Sequence, residues 1–272
     1  MTSTYTHQIS VTDSTSVDLS ISDRGHGHPF LLLHGGGGPA TVTRWADALA
    51  QARPARVITP IHPGFGGTHR PGSLSSVRDL AQLYLNLLEA LGLADVTVIG
   101  NSVGGWIAAE MATAQPARVS SFVLIDAVGL EVPGHPVIDV FSLPPDQIAQ
   151  HTFADPDTYA PDPASLSREA RDAIPGNMAS LKVYAGTDMT DPTLQDRLPD
   201  ITAPTLVLWG QQDRIASPEI GRAYANAITN ATFELIGQAG HLPQLEAAEK
   251  VTEHVWNFAD AHSVRVSAAL EN

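Results

Sequence analysis

The sequence predicts an α/β protein with a mostly parallel, eight-stranded sheet flanked by helices. Two observations predict it. Short β-rich runs alternate with stretches of helical periodicity along the 272 residues, and most of the β-rich runs are continuously apolar. Alternating strands and helices are typical of parallel sheets, and strands buried on both faces have unbroken apolar sequences.

The first two β-rich runs differ from the others, because polar and apolar residues alternate in them. They cover about residues 6–12 and 16–22 and predict an antiparallel hairpin that turns at Asp13 and Ser14. The remaining six strands are predicted from apolar runs at residues 30–33, 56–60, 96–99, 121–125, 205–209 and 232–236.

Helical periodicity fills the gaps between the apolar runs. Apolar side chains recur at helix spacing over residues 77–91, and Gly92 is a stop signal. A helix over 218–228 has Pro218 at its first position and Ser217 as the predicted N-cap. Further helices are predicted around residues 48–49, after Ser102 and over residues 247–258.

One segment, residues 129–199, interrupts the alternation. It is rich in proline and aspartate and shows no strand pattern, and a structureless loop of that length is uncommon in a compact domain. We therefore predict an inserted helical cap at 129–199 and a core formed by 1–128 and 200–272. The aromatic residues Phe141, Phe153 and Tyr184 are candidates for lining a pocket or for packing inside the cap.

Composition excludes several classes of function. The chain has 29 acidic and 15 basic residues, a formal net charge of −14 and no cysteine. Without a basic cluster we expect no binding to nucleic acid or to anionic membranes, and without cysteine there is no thiolate nucleophile. The sequence shows no signal-peptide pattern and no apolar run near the roughly 20 residues of a membrane span. We expect a cytoplasmic protein with a small-molecule substrate, and the sequence does not predict its oligomeric state.

Residues 100–104, Gly-Asn-Ser-Val-Gly, lie between a predicted strand and a predicted helix. In this context a G-x-S-x-G pattern places the serine on a sharp, strained turn, where side chains at the glycine positions would collide with neighbouring elements. Ser102 is therefore the candidate nucleophile. The N–H of Val103, at the start of the helix, is a candidate donor to an oxyanion.

A run of four glycines at 35–38 follows His34, directly after the predicted strand at 30–33. A phosphate-binding loop would need a lysine nearby, and the sequence has none there. We interpret the run as the second half of an oxyanion hole. The N–H of Gly36 is the expected donor, with Gly35 or Gly37 as alternatives.

A serine hydroxyl needs a general base, and the base needs an acid to orient it. His241 follows the last predicted strand, and Asp213 follows the strand at 205–209. Both would reach the edge of the sheet where parallel strands end. His62, for which we expect a structural or substrate-contact role, is the next candidate base, and Asp126 is the rival acid.

These motifs resemble those of the α/β-hydrolase fold superfamily. The resemblance covers nearly the whole chain and includes the hairpin, the glycine run, His-Pro-Gly-Phe-Gly-Gly at 62–67, the serine turn, Trp-Gly-Gln-Gln-Asp at 209–213 and Gly-Gln-Ala-Gly-His at 237–241. The order nucleophile, acid, histidine also matches. The resemblance implies an α/β-hydrolase fold with a helical cap, and hydrolysis without a metal or organic cofactor.

The glycine run and the serine turn are also similar to those of hydrolases that cleave carbon–carbon bonds of ring-fission products. That group usually has Met after the serine, Asn in the helix after the oxyanion loop and Trp after the histidine. This chain has Val103, no Asn between residues 39 and 49, and Leu242.

These differences favour another substrate. Our main expectation is a serine hydrolase that cleaves a small, largely uncharged ester or lactone through an acyl-enzyme on Ser102, with His241 and Asp213 completing the triad. A carbon–carbon bond hydrolase is the first alternative. A non-catalytic small-molecule-binding module on the same fold is the second, because a fold alone does not determine a function.

Overall fold

The computed structural model describes residues 2–12 and 15–263. The strands are β1 (Thr2–Thr12), β2 (Thr15–Gly25), β3 (His28–Leu33), β4 (Ala55–Pro60), β5 (Val96–Asn101), β6 (Val119–Ile125), β7 (Thr205–Gly210) and β8 (Ala231–Ile236). They form one eight-stranded sheet in the order β1-β2-β4-β3-β5-β6-β7-β8. The pairs β1–β2 and β2–β4 are antiparallel, and the other pairs are parallel. The predicted mostly parallel, eight-stranded sheet is confirmed.

The opening hairpin is longer than its alternating pattern predicts. Thr2 pairs with Arg24 at the open end, and β2 also pairs with β4, with Ile21 opposite Pro60. Strand β2 extends beyond the alternating residues because its last residues, from Ile21 onward, pair with β4, and those up to Arg24 pair with β1 as well. The predicted turn at Asp13 and Ser14 lies outside the described residues.

The helices are α1 (Ala40–Ala52), α2 (Val77–Ala90), α3 (Val103–Thr113), α4 (Pro145–Thr152), α5 (Pro156–Tyr159), α6 (Arg168–Ala185), α7 (Leu194–Arg197), α8 (Pro218–Ala227), α9 (Pro243–Glu246) and α10 (Ala248–His262). A 3-10 turn at Leu198–Asp200 follows α7. Apolar clusters lie on both faces of the sheet. One packs against α2, α3 and α8, and the other against α1 and α10.

The ends of two helices test the capping predictions. Helix α2 begins with a capping box, in which Ser76 Oγ accepts from the Asp79 N–H and the Asp79 carboxylate accepts from the Ser76 N–H. It ends before Gly92, whose φ is +61°. Helix α8 starts at Pro218 as predicted, but Ser217 makes no side-chain cap bond. Ser217 is the N-cap residue, as predicted, and its hydroxyl pairs with His135 Nδ1 at 3.1 Å instead of with the helix.

The segment between β6 and β7 contains α4 to α7. The only bridge described in it outside the named strands is an isolated one between Gly129 and Thr190. Leu181 and Tyr184 of α6 join the larger apolar cluster, so the insert packs on the same core as the sheet. No helix in the described part of the chain is long and apolar enough to cross a membrane. The division into a core and a cap at 129 and 199 remains a prediction.

Candidate active site

Ser102 lies on a sharp turn between β5 and α3. Its backbone angles are φ 57° and ψ −122°, a left-handed conformation that costs energy for any residue with a Cβ. The flanking glycines allow the close packing around it. A Cβ at Gly100 would lie 2.0 Å from the carbonyl oxygen of Gly104, and one at Gly104 would lie 2.4 Å from that of Leu33. The strained turn predicted from the G-x-S-x-G pattern is present.

Ser102, His241 and Asp213 form a continuous row of hydrogen bonds. His241 Nε2 lies 2.9 Å from Ser102 Oγ, and His241 Nδ1 lies 2.8 Å from Asp213 Oδ2. The carboxylate can only accept, so Nδ1 carries the proton and the lone pair of Nε2 faces the serine hydroxyl. The three residues are 8%, 6% and 5% exposed. The structure brings together the three side chains that the sequence proposed.

The choice between two acids is explained by the backbone around Asp213. Its second oxygen, Oδ1, accepts from the N–H groups of Ile215 at 2.8 Å and Ala216 at 3.1 Å. These donors and the histidine satisfy a buried carboxylate. Asp126 Oδ1 instead accepts from the Gly210 N–H at 2.9 Å. Asp213 pairs with the histidine, and a carboxylate oxygen of Asp126 lies within 4.8 Å of both.

The two expected oxyanion donors belong to residues close to Ser102. Gly36 lines the same pocket as Ser102, and Val103 is the first residue of α3. Among the residues that the structure describes, neither N–H donates to a protein acceptor, so both remain available to a ligand. The assignment of Gly36 and Val103 as donors remains a prediction.

His62 does not reach the triad and belongs to a buried cluster beneath the glycine run. The His62 N–H donates to His34 Nε2 at 3.0 Å, and His62 Nε2 donates to the His34 carbonyl at 2.9 Å. His34 Nδ1 donates to the Gly35 carbonyl, and Tyr84 OH donates to His62 Nδ1. Burial lowers the pKa of His34 to about 4. Burial and the neighbouring His34 lower the pKa of His62. The pair is therefore neutral near pH 7 and has a structural role.

Comparison with known proteins identifies the family. The model of the "Alpha/beta hydrolase family" matches residues 30–254. The chain belongs to this family. It is 31% identical over 258 residues to a 2-hydroxymuconate semialdehyde hydrolase of Pseudomonas putida, covering 88% of this chain and 89% of that protein. It is 29% identical over 292 residues to a 2-hydroxy-6-oxononadienedioate/2-hydroxy-6-oxononatrienedioate hydrolase of Burkholderia vietnamiensis, covering 95% and 99%.

A solved structure with this fold is a thermophilic esterase from Thermogutta terrifontis. It superimposes with a TM-score of 0.77 at 25% identity, over 95% of this chain and 100% of that chain. The expected α/β-hydrolase fold and hydrolase class are therefore confirmed. The named sequence relatives agree with the alternative interpretation, carbon–carbon bond hydrolysis, better than with an ester or lactone.

In this α/β hydrolase, the insert holds the histidine loop in place. The His241 N–H donates to the Thr152 carbonyl at 2.7 Å. Glu246 Oε1 accepts from the N–H groups of Ala154 and Asp155, and its Oε2 accepts from the Gly240 N–H. One carboxylate therefore joins the insert to the loop that carries the base. The role of Glu246 is not visible in the sequence, because no local motif marks this residue.

A second contact joins the insert to the glycine run. Asn177 of α6 donates from Nδ2 to the Gly37 carbonyl at 3.3 Å and accepts at Oδ1 from the Gly66 N–H at 2.8 Å. Ser180, one turn later, donates to the Gly64 carbonyl at 3.0 Å. Helix α6 thus contacts both the glycine run, which lines the pocket, and the loop at 62–67. These polar residues occur on an otherwise ordinary amphipathic helix, so the sequence does not reveal their role.

The pocket above Ser102 has a volume of about 150 Å³. Its lining is Gly35, Gly36, Gly37, Thr41, Asn101, Ser102, Val140, Ile148, Thr152, Met178, Leu181, Met189, Ile215, His241 and Leu242. This lining includes no lysine, arginine, aspartate or glutamate. Phe141, Phe153 and Tyr184 are not in it, and Tyr184 OH donates to the Pro63 carbonyl at 2.9 Å. Instead of the aromatic candidates, the insert contributes Val140, Ile148, Thr152, Met178, Leu181 and Met189 to the pocket.

Proposed function

We propose that this protein is a serine hydrolase in which Ser102 attacks a carbonyl carbon of its substrate. The hydrogen-bonded row of Ser102, His241 and Asp213 is the observation that supports the proposal. His241 Nε2 takes the hydroxyl proton as the new C–O bond forms and returns it to the leaving group. Asp213 stabilises the imidazolium formed in between. Water activated by His241 then hydrolyses the acyl-enzyme and regenerates Ser102.

Negative charge develops on the carbonyl oxygen during the attack. The N–H groups of Gly36 and Val103, which have no acceptor among the described residues, are proposed to bind it. Donors of this kind contribute roughly 3–4 kcal/mol each in well-studied enzymes. Because Ser102 is in a strained conformation fixed by packing, its hydroxyl and the Val103 N–H need no rearrangement before the attack.

We propose that the substrate is a ring-fission product. Ser102 attacks one of its carbonyl groups, and the bond from that carbonyl to a neighbouring carbon is cleaved. The support is the names of the two relatives above, which match this chain over most of its length. In such a substrate the leaving group is a carbon atom, and His241 returns the serine proton to that carbon. This proposal replaces our main expectation from the sequence, a small ester or lactone.

A small, uncharged ester or lactone is the second candidate. The observation that favours it is the pocket lining, which offers no cationic side chain to a carboxylate. The esterase from Thermogutta terrifontis also shares the fold over nearly the whole chain. The two candidates differ in the charge of the substrate and in the leaving atom, so one assay can separate them.

The deciding experiment measures kcat/KM for a dienoate ring-fission product, p-nitrophenyl acetate and a simple lactone. We expect the dienoate to have the highest value, and a higher value for the ester or lactone would select the second candidate. The Ser102→Ala variant should lower kcat on the preferred substrate by about 10⁴–10⁶ with its fold intact. Residual activity above that range would contradict a nucleophilic role for Ser102.

A fluorophosphonate probe tests the proposal without knowledge of the substrate. An activated serine reacts stoichiometrically, so we expect labelling of Ser102 in the wild type and none in Ser102→Ala. Absence of labelling together with absence of turnover would support the non-catalytic binding module. A cytoplasmic location and the lack of nucleic-acid or membrane partners remain predictions from the composition.

A further inference from the structure

A second buried carboxyl group lies beside the triad and has no role in the mechanism above. Asp126 follows β6 and is fully buried. One of its carboxylate oxygens, one of Asp213 and a ring nitrogen of His241 all lie within 4.8 Å of one another. Its Oδ2 is buried without a hydrogen-bond partner among the described residues. A buried polar atom without a partner is uncommon and needs an explanation.

The two carboxyl groups differ in the donors that surround them. Asp213 accepts from the Ile215 and Ala216 N–H groups and from His241, whereas Asp126 accepts from one donor in the described part of the chain, the Gly210 N–H. Two carboxylates this close in a buried site do not both ionise, and the one with more donors keeps the negative charge. The proton therefore belongs on Asp126, whose Oδ2 receives no donor from the described residues.

We propose that Asp126 is a positioning residue for His241, kept as a neutral acid beside Asp213 and able to act as a reserve anion when Asp213 carries no charge. The inference rests on the proposed function, since it assigns a role within the same triad.

The electrostatic surroundings of Asp126 agree with this role. Burial and the charge of Asp213 raise the pKa of the Asp126 carboxyl well above its usual value, and the Gly210 N–H opposes this. The side-chain interaction with Asp213 and the charge of Glu246 add smaller increases. His241 is the third titratable member of the cluster with Asp126 and Asp213. Replacing Asp213 by Asn removes one of the two carboxylates that disfavour ionisation, so Asp126 becomes easier to ionise in that variant.

Infrared spectroscopy tests the protonation state without any substrate. At neutral pH the wild type should show the carbonyl band of a protonated carboxylic acid. We expect the Asp126→Asn variant to lose this band. The matched control Asp172→Asn, which removes an acid whose side chain is 71% exposed on α6, should keep it. A wild-type spectrum without the band, or a band that persists in Asp126→Asn, overturns the inference.

A double-mutant cycle tests the reserve role through the labelling rate of Ser102. We expect Asp126→Asn to slow labelling by at most about tenfold in the wild type and by about 100-fold or more in the Asp213→Asn background. In Asp213→Asn the rate should rise with pH as Asp126 ionises, and the double variant should lack that rise. If Asp126→Asn slows labelling by the same factor in both backgrounds, the reserve role is refuted.

The outcomes separate this inference from the proposed function. If Ser102 is not labelled in the wild type, the proposed function fails and the infrared result alone decides the protonation of Asp126. If Ser102 is labelled but the cycle is additive, only the inference fails. If Asp126→Asn does not fold, the pH dependence of the Ser102 labelling rate in Asp213→Asn decides. A dependence parallel to that of the wild type contradicts the proposal.

Discussion

Acid is expected to destabilise this protein through the buried His34. Its pKa falls from 6.5 in the unfolded chain to about 4 in the folded protein because burial disfavours the charged ring. Between these values the unfolded chain binds a proton that the folded chain does not, so stability rises with pH. The contribution is complete above about pH 6.5 and is lost as the pH falls to about 4. A tenfold change in proton affinity is worth about 1.4 kcal/mol, so the full effect is about 3 kcal/mol.

The His34→Asn variant isolates this contribution. The Asn amide cannot be protonated and keeps a donor near the position of Nδ1, which contacts the Gly35 carbonyl. Urea denaturation at about pH 7.5 and about pH 4.5 gives the free energy of unfolding under both conditions. We expect the wild type to lose about 2 kcal/mol more than His34→Asn on acidification. The exposed His26→Gln variant controls for removing a histidine and should lose as much as the wild type.

One result would refute the reasoning. If His34→Asn loses the same stability as the wild type between the two pH values, His34 does not remain neutral in the folded protein. His62→Gln provides an independent check, because its amide can still donate to the His34 carbonyl. It should also reduce the acid sensitivity, since the pKa of His62 is lowered by burial and by the neighbouring His34.

Two further predictions concern the loops around Ser102. Gly100→Ala should destabilise the protein by about 2 kcal/mol or more, because its Cβ would lie 2.0 Å from the Gly104 carbonyl oxygen. Thermal denaturation should show this loss, and none for Gly72→Ala, where the Cβ meets nothing within 4 Å. Asn177→Leu removes the hydrogen bonds that Asn177 makes with the Gly37 carbonyl and the Gly66 N–H. This substitution should lower kcat by about 10- to 100-fold. Steady-state kinetics should show no such loss for Asn86→Leu, which breaks a bond to the Ser10 carbonyl far from the site.

The residues of the triad could be predicted because their positions follow from local rules. Ser102 has a strained turn that requires glycines two residues away on each side, and that requirement is visible in the sequence. Asp213 and His241 follow β7 and β8, and parallel strands bring their carboxyl ends to one edge. The alternation of strands and helices therefore predicts that side chains at these strand ends meet, with Asp126 left as the rival of Asp213.

The relation between Asp126 and Asp213 could not be predicted in the same way. Both follow a strand, so the sequence leaves them as rivals. What separates them is the backbone of the turn after Asp213, where the N–H groups of Ile215 and Ala216 point at the carboxylate. Such donors depend on backbone angles, and residue types in a turn restrict those angles only loosely. The donors of the two carboxyls are therefore visible only in three dimensions.

The insert shows why the substrate is harder to predict than the chemistry. Its backbone at Thr152 and its side chain at Asn177 hold the histidine loop and the glycine run, so the geometry of the triad depends on a segment that contributes no residue to it. The same segment supplies apolar side chains to the pocket. A change in the insert that moves the Thr152 backbone therefore alters both the pocket and the position of His241. For this reason we expect specificity and kcat to change together when α4 or α6 is altered.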